Sequence, residues 1–217
     1  MTIKVIQVGE NILKANKAIA EENRKRLNDH SILSFNVMGA PGAGKTELLD
    51  ALIEKILPHK KVGVIEGDIA GSYDSERLSH HSIPLVQINT AGACHLEAFM
   101  IQQGLDSLPL SSLDILFVEN VGNLVCPAEF ELGIKMNIVV ASPLEGDDKP
   151  AKYPLMYKIS HACALSKMDL AEYVSFDKKR FSDFVKEISP DIRLFPLSPI
   201  SGEGISDFSD WILAQSP

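Results

Sequence analysis

Apolar residues fall along this chain in short continuous runs, separated by longer stretches in which they recur every three or four positions. The runs at 32–38, 62–66, 85–88 and 192–195 predict strands, and those at 115–118, 138–140 and 162–165 are nearly continuous in apolar character, without alternation. Strands covered by helices on both faces read this way, because side chains leaving in either direction meet apolar neighbours. After the first run, Leu48, Leu49, Leu52, Ile53, Ile56 and Leu57 form one helical stripe. Ala98, Ile101, Leu105 and Leu108 predict a helix over 94–108, and Phe181, Phe184, Val185 and Ile188 another over 176–189. A helix is also predicted over 150–160, and Ile205, Phe208, Trp211 and Ile212 mark a closing helix. This succession predicts an α/β fold: a doubly wound, mostly parallel sheet with helices on both faces. Residues 10–30 differ, being charged with sparse apolar positions at Ile12, Leu13, Ala15 and Ile19. They predict a surface helix with a solvated charged face, dividing the chain into a helical extension, 1–30, and a main domain, 31–217.

The turn between the first strand and its helix reads Gly39-Ala40-Pro41-Gly42-Ala43-Gly44-Lys45-Thr46, a complete G-x-x-x-x-G-K-[ST] in the context the P-loop requires. Backbone N–H groups there converge on phosphate oxygens, the helix N-terminus adds positive potential, and Lys45 supplies a mobile ammonium. The fold class is therefore that of P-loop NTPases. Thr46 offers a hydroxyl to Mg²⁺, and Asp68, Asp74 and Glu119 are candidate carboxylates beyond strand ends. Asp74 reads equally well as the cap of a helix beginning near Ser75. Glu119-Asn120-Val121-Gly122 has the acidic-x-x-Gly form of a γ-phosphate sensor, with the Gly122 N–H free to face the phosphate. Lys45, Thr46, Asp68, Glu119 and Gly122 make up the expected catalytic set.

Ser166-Lys167-Met168-Asp169 follows another buried run and looks like a guanine-reading loop. A carboxylate at Asp169 accepts from both N1–H and the exocyclic amine of guanine, for which adenine has no matching pair of donors. Ser198-Pro199-Ile200 fits the companion loop, whose backbone N–H meets guanine O6.

The 217 residues hold 29 acidic against 21 Lys and Arg, a net charge of −8. Without a basic run, a nucleic-acid partner is not expected. The start has no leader pattern and no segment reaches the roughly 18 apolar residues of a membrane span, so the expected location is the cytoplasm, away from membranes. Three cysteines, at 94, 126 and 163, are too few for a disulfide scaffold. Cys163 lies in an apolar run and reads as core. Cys94-His95 is expected at the N-terminal end of the helix over 94–108 and Cys126 follows the sensor segment, so both follow strands and can approach each other on the nucleotide side. Thiolate and imidazole suit Ni²⁺ or Zn²⁺. On spacing alone, the two cysteines read equally well as small buried hydrophobes. Three ligands are one short of a closed tetrahedral site, which a two-fold dimer would complete by joining two sets. Glu97 is a candidate hydrogen-bond partner for such a site, and its expected place in the first turn of the helix is explained equally well by the helix dipole. His30, His59, His80, His81 and His161 form no dense tract.

Taken together, the strings resemble the HypB family of nickel-insertion GTPases that mature nickel-iron hydrogenases. The resemblance rests on Gly39 to Thr46, Glu66-Gly67-Asp68, Gln87 to Thr90, Cys94-His95-Leu96-Glu97-Ala98, Glu119 to Pro127, Glu145-Gly146-Asp147-Asp148-Lys149 and Ser166 to Asp169. The related urease GTPases place cysteine and histidine in a Cys-Pro-His motif, whereas here Cys126 precedes Pro127-Ala128. The resemblance implies slow Mg²⁺-dependent hydrolysis of GTP to GDP and a metal site at Cys94, His95 and Cys126 near a homodimer interface. It also implies hand-over of nickel with a HypA-type accessory protein and a hydrogenase large-subunit precursor as partners. Two departures stand out. No cysteine-rich or histidine-rich motif precedes Leu33, and Ser166 replaces the usual asparagine of the guanine loop. The alternative is a MinD-like ATPase with incidental cysteines. Against it, Ala40 stands where such ATPases commonly carry a second lysine. A small-molecule phosphotransferase would need a basic lid that the sequence does not display.

Overall fold

The computed structural model describes residues 8–69 and 77–215, with side chains in the first helix from Ile12 onward. Asp74 and the helix start expected near Ser75 lie outside the described residues. Seven strands form one sheet: β1 (Leu33–Gly39), β2 (Val62–Asp68), β3 (Leu85–Asn89), β4 (Ile115–Glu119), β5 (Met136–Ala141), β6 (Ala162–Leu165) and β7 (Arg193–Pro196). Their order is β3-β2-β4-β1-β5-β6-β7 and every pairing is parallel. The helices are α1 (Val8–Asp29), α2 (Lys45–Ile56), α3 (Ala98–Asp106), α4 (Lys149–Lys152), α5 (Pro154–Lys158), α6 (Lys178–Ile188) and α7 (Ile205–Leu213).

Alternation along the strands sends side chains into two layers. Phe35, Val37, Val64, Phe117 and Val140 pack under α2 and α7. On the other face, Ile65, Leu116 and Val118 meet α1 and α3, while Met38, Val139 and Cys163 meet α5 and α6. With both directions occupied, β1 is buried at every position, the polar Ser34 and Asn36 included. The edge strands β3 and β7 are only partly buried.

Two helices differ from expectation. The stretch read as 94–108 becomes helical only at Ala98, so Cys94 and His95 sit on the preceding loop rather than in a helix. The stretch read as 150–160 is split at Tyr153, whose non-helical backbone precedes Pro154; proline disfavours the α conformation in the residue before it.

The first helix is docked by a polar stripe. Ile12 and Leu13 are exposed, while Asn16, Ala20, Asn23 and Leu27 face inward. Asn16 accepts from the Ala98 N–H and donates to the Glu131 carbonyl, and Asn23 donates to the carbonyls of Ala98 and Leu132. The helix thus grips the N-terminus of α3 through backbone hydrogen bonds.

The chain runs from β1 to β2, β3 and β4 on one side, then crosses to β5, β6 and β7 on the other. The crevice beyond the C-terminal end of β1 is thus the switch point where such sheets bind ligands.

Candidate functional site

The P-loop leaves β1 at Gly39, where a Cβ would stand 2.4 Å from the Val140 carbonyl oxygen; only glycine lets the loop pass the end of β5 so closely. Gly44 closes the loop in the left-handed region, at φ 97°, and α2 begins at Lys45. Pro41, Gly42, Gly44, Lys45 and Thr46 line a cleft of about 360 Å³ with Asp68, Arg77, Glu119, Gly122 and Lys167. Ala43 is buried behind them and Ala40 accepts a long 3.4 Å contact from Lys45 Nζ.

Thr46 Oγ1 donates to Glu119 Oε1 at 2.9 Å, with both residues buried. Asp68 lines the same cleft and accepts from the Ile69 N–H. Hydroxyl and carboxylate oxygens gathered at the start of α2 are the hard donor set that suits Mg²⁺. Gly122 lies against the loop, where a Cβ would meet Pro41 Cα at 2.9 Å.

On the other side of the cleft Lys167 has the uncommon φ of 57° and donates from Nζ to the Gly42 carbonyl, tying the loop after β6 to the P-loop. Ser198 Oγ donates to Asp169 Oδ1 at 2.6 Å, bringing the two base-loop candidates together. The Ser198 amide is committed to the Glu203 carbonyl, and Pro199 has no N–H. Of the three companion-loop residues, Ile200 is therefore the one left to offer a backbone donor to a base. Ser166 is fully buried beneath Gly44, its hydroxyl without a hydrogen-bond partner among the described residues.

The metal candidates converge as well. Cys94 Sγ is 3.3 Å from Cys126 Sγ and 3.8 Å from His95 Nδ1, and all three ligand atoms lie within 4.8 Å of one another. The His95 ring packs tilted against Phe130, centroids 4.0 Å apart, while its Nε2 lies 3.6 Å from Glu97 Oε1. Two thiols and an imidazole form a soft to borderline donor set, fitting Ni²⁺ or Zn²⁺ and not Mg²⁺. The neighbouring Cys94 thiol, helped by desolvation, raises the Cys126 thiol pKa. Cys163 is a fully buried core residue whose thiol burial drives upward.

A family profile described as CobW/HypB/UreG, nucleotide-binding domain, matches residues 33–196. The probable hydrogenase maturation factor HypB of Methanocaldococcus jannaschii is 40% identical over 210 residues, covering 97% of this chain and 95% of that protein. The Escherichia coli hydrogenase maturation factor HypB is 39% identical over 212 residues, 98% of this chain and 73% of its own length. The chain belongs to the HypB family of hydrogenase-maturation GTPases. The crystal structure of HypB from Helicobacter pylori in complex with nickel superposes with a TM-score of 0.89 at 36% identity, covering 93% of this chain and 95% of that one. HypB from Archaeoglobus fulgidus gives 0.89 at 35%, covering 94% and all of that chain. The signal recognition particle receptor FtsY from Elizabethkingia anophelis, at 14% identity and a TM-score of 0.57, shares the fold alone.

Within this HypB-family chain, three groups had no assigned role in the sequence. Asn120 accepts from the Leu96 N–H and Asn123 donates to the Cys94 carbonyl, so these two asparagines clamp the segments that carry the thiols. Glu66 is buried, in register with Glu119, and shares the strand parity of Val62 and Val64 that faces α2. Glu145 sits after β5 with its carboxyl pushed up to about 7 by burial, against the opposing pull of Lys149 and, more weakly, Lys45 and Lys167. A polar residue ending a buried strand was the available signal for Glu66 and Asn120. For Glu145 the signal was its place in the Glu145-Gly146-Asp147-Asp148-Lys149 string.

Proposed function

We propose that this chain is a GTP-hydrolysing nickel metallochaperone in which one segment couples the phosphate site to the thiol metal site. The observation that carries the proposal is the course of residues 119–126. Glu119 holds Thr46, Gly122 abuts Pro41, Asn123 forms a bridge with Gly39, and Cys126 ends three residues later beside Cys94. A shift at the γ-phosphate therefore reaches a thiol ligand through a few residues of backbone.

In this reading the P-loop amides from Gly39 to Thr46 and the Lys45 ammonium hold the phosphates and the charge that develops on them in transfer. Thr46, Asp68 and Glu119 would hold Mg²⁺, which would supply Lewis-acid neutralisation of phosphate charge. Gly122 presents its N–H to the γ-phosphate. Asp169 accepts from guanine, Ser198 fixes that carboxylate, and Lys167 braces the base loop on the P-loop. Cys94, His95 and Cys126 receive Ni²⁺, or Zn²⁺ in its place, as cargo. A two-fold dimer would add a partner's ligands to these three. By analogy with the relatives named as hydrogenase maturation factors, the nickel passes between a HypA-type accessory protein and a hydrogenase large-subunit precursor in the cytoplasm. No helix among the described residues is long and apolar enough to cross a membrane.

Phosphate release from GTP tests the reading. Lys45→Ala should lower the Mg²⁺-dependent rate by at least about a hundredfold while the melting profile stays native, because the ammonium acts on charge present chiefly in the transition state. A folded variant that hydrolyses GTP at the wild-type rate would refute it.

A further inference from the structure

A second group of metal-binding side chains lies apart from the thiols, on the flank of the phosphate-binding helix. Asp50 of α2 faces the turn Ser79–His81 that leads into β3. His81 Nε2 is 2.7 Å from Asp50 Oδ1, and His80 Nε2 is 3.5 Å from the same oxygen. The two imidazoles lie over one another with centroids 3.9 Å apart, and the ligand atoms of all three residues fall within 4.8 Å of one another.

Hydrogen placement makes the arrangement informative. A carboxylate oxygen only accepts, so the short His81 contact requires a hydrogen on its Nε2. His80 Nδ1 is 2.7 Å from the Arg77 carbonyl oxygen, another pure acceptor, so Nδ1 carries a hydrogen as well. A neutral His80 ring then has its lone pair on Nε2, aimed at the Asp50 oxygen. Two acceptors facing each other at that distance repel unless a cation lies between them, either a second ring proton or a metal ion. Donation of Nδ1–H to a backbone carbonyl is also how metal-binding imidazoles are oriented, leaving Nε2 for the ion.

We propose that Asp50, His80 and His81 form a second site for a divalent transition ion of borderline softness, such as Zn²⁺, with water completing its coordination. Ligands about 2.0–2.1 Å from a tetrahedral ion stand about 3.3 Å apart, and the observed 2.7 and 3.5 Å bracket that spacing. To ligate through Nε2, a neutral His81 would carry its hydrogen on Nδ1 instead, while His80 would use the Nε2 lone pair it already presents, so both imidazoles would bind as neutral rings. The His81 side chain is only 8% exposed, holding its ring in place, while the His80 side chain at 61% leaves the approach open. The ion would tie α2, which begins with Lys45 and Thr46, to the turn after Arg77. Arg77 lines the phosphate cleft and pairs with Glu47 at 3.4 Å, so occupancy would restrain one wall of that cleft.

Cobalt is the probe. In a Cys94→Ala/His95→Ala/Cys126→Ala chain, Co²⁺ should give ligand-field bands at one ion per chain, without a thiolate charge-transfer band, and Zn²⁺ should displace it. Adding Asp50→Asn and His80→Ala should weaken Co²⁺ at least tenfold, with far-ultraviolet circular dichroism and melting confirming the fold. His80→Ala alone provides the same readout should the combined variant fail to fold. Absence of the bands in the triple variant would show a proton-bridged ion pair only and overturn the proposal. Bands that persist undiminished after loss of Asp50 and His80 would overturn it equally.

Discussion

Asp169 has one carboxylate oxygen engaged by the Ser198 hydroxyl at 2.6 Å, which fixes its plane and leaves the other oxygen for a base. Asp169→Asn keeps an acceptor for Ser198 but presents a donor where guanine also donates. Competition binding should show the preference for GTP over ATP falling by at least about tenfold, the scale of a charged hydrogen bond; an unchanged preference would exclude Asp169 from base reading. Glu145 allows a test by pH. Its carboxyl titrates at about 7 in the fold against an ordinary 4.5, chiefly because burial disfavours the charged form. The folded chain thus binds a proton that the unfolded chain lacks between those values, and this stability is full below 4.5 and lost as pH rises through about 7. Glu145→Gln, which stays neutral, should match the wild type near pH 5 and be more stable at pH 8, by about 2–3 kcal/mol. A difference in melting that stays flat across that range would contradict the assignment. The base-loop residues were legible because each motif is local; the raised pKa of Glu145 was not, since it depends on burial that its local string does not reveal.

At the scale of elements, α1 is held by hydrogen bonds to backbone more than by an apolar stripe. Asn23→Ala strands the carbonyls of Ala98 and Leu132 and should cost about 1–3 kcal/mol in urea unfolding. A loss within the error of the measurement would mean that water replaces the asparagine. This docking was illegible in sequence for a physical reason. Hydrophobic periodicity detects faces buried against apolar neighbours, and here the inward positions are Asn16 and Asn23, whose partners lie 75 to 115 residues away. The central strands were legible from their continuous apolar character, and the boundary of α3 was not, because Cys94 to Glu97 have no strong breaker. The adjacency of Cys94 and Cys126 depends on strand order, which sequence suggested only in outline. The same applies to His80 and His81, whose partner Asp50 is reached through α2.

Over the whole molecule, phosphate cleft, thiol cluster and α1 are linked in series. Residues 119–126 run from the P-loop to Cys126, Asn120 and Asn123 clamp that segment to Leu96 and Cys94, and α1 grips Ala98 just beyond. A cluster of three protein ligands at the surface invites a second copy, so GTP analogue with Mg²⁺ and Ni²⁺ should shift light scattering from monomer toward dimer mass. A strict monomer under those conditions would remove the shared-site geometry. Coupling itself is most directly measured by equilibrium Ni²⁺ titration of the wild type and Cys126→Ala, each with GDP, with a non-hydrolysable GTP analogue and without nucleotide. Wild-type affinity should differ at least about tenfold between the two nucleotide states, a coupling of about 1.4 kcal/mol, and fall as pH is lowered because the Cys126 thiol must give up its proton. In Cys126→Ala the nucleotide dependence should vanish. Identical Ni²⁺ affinity of the wild type in all three states would contradict the account.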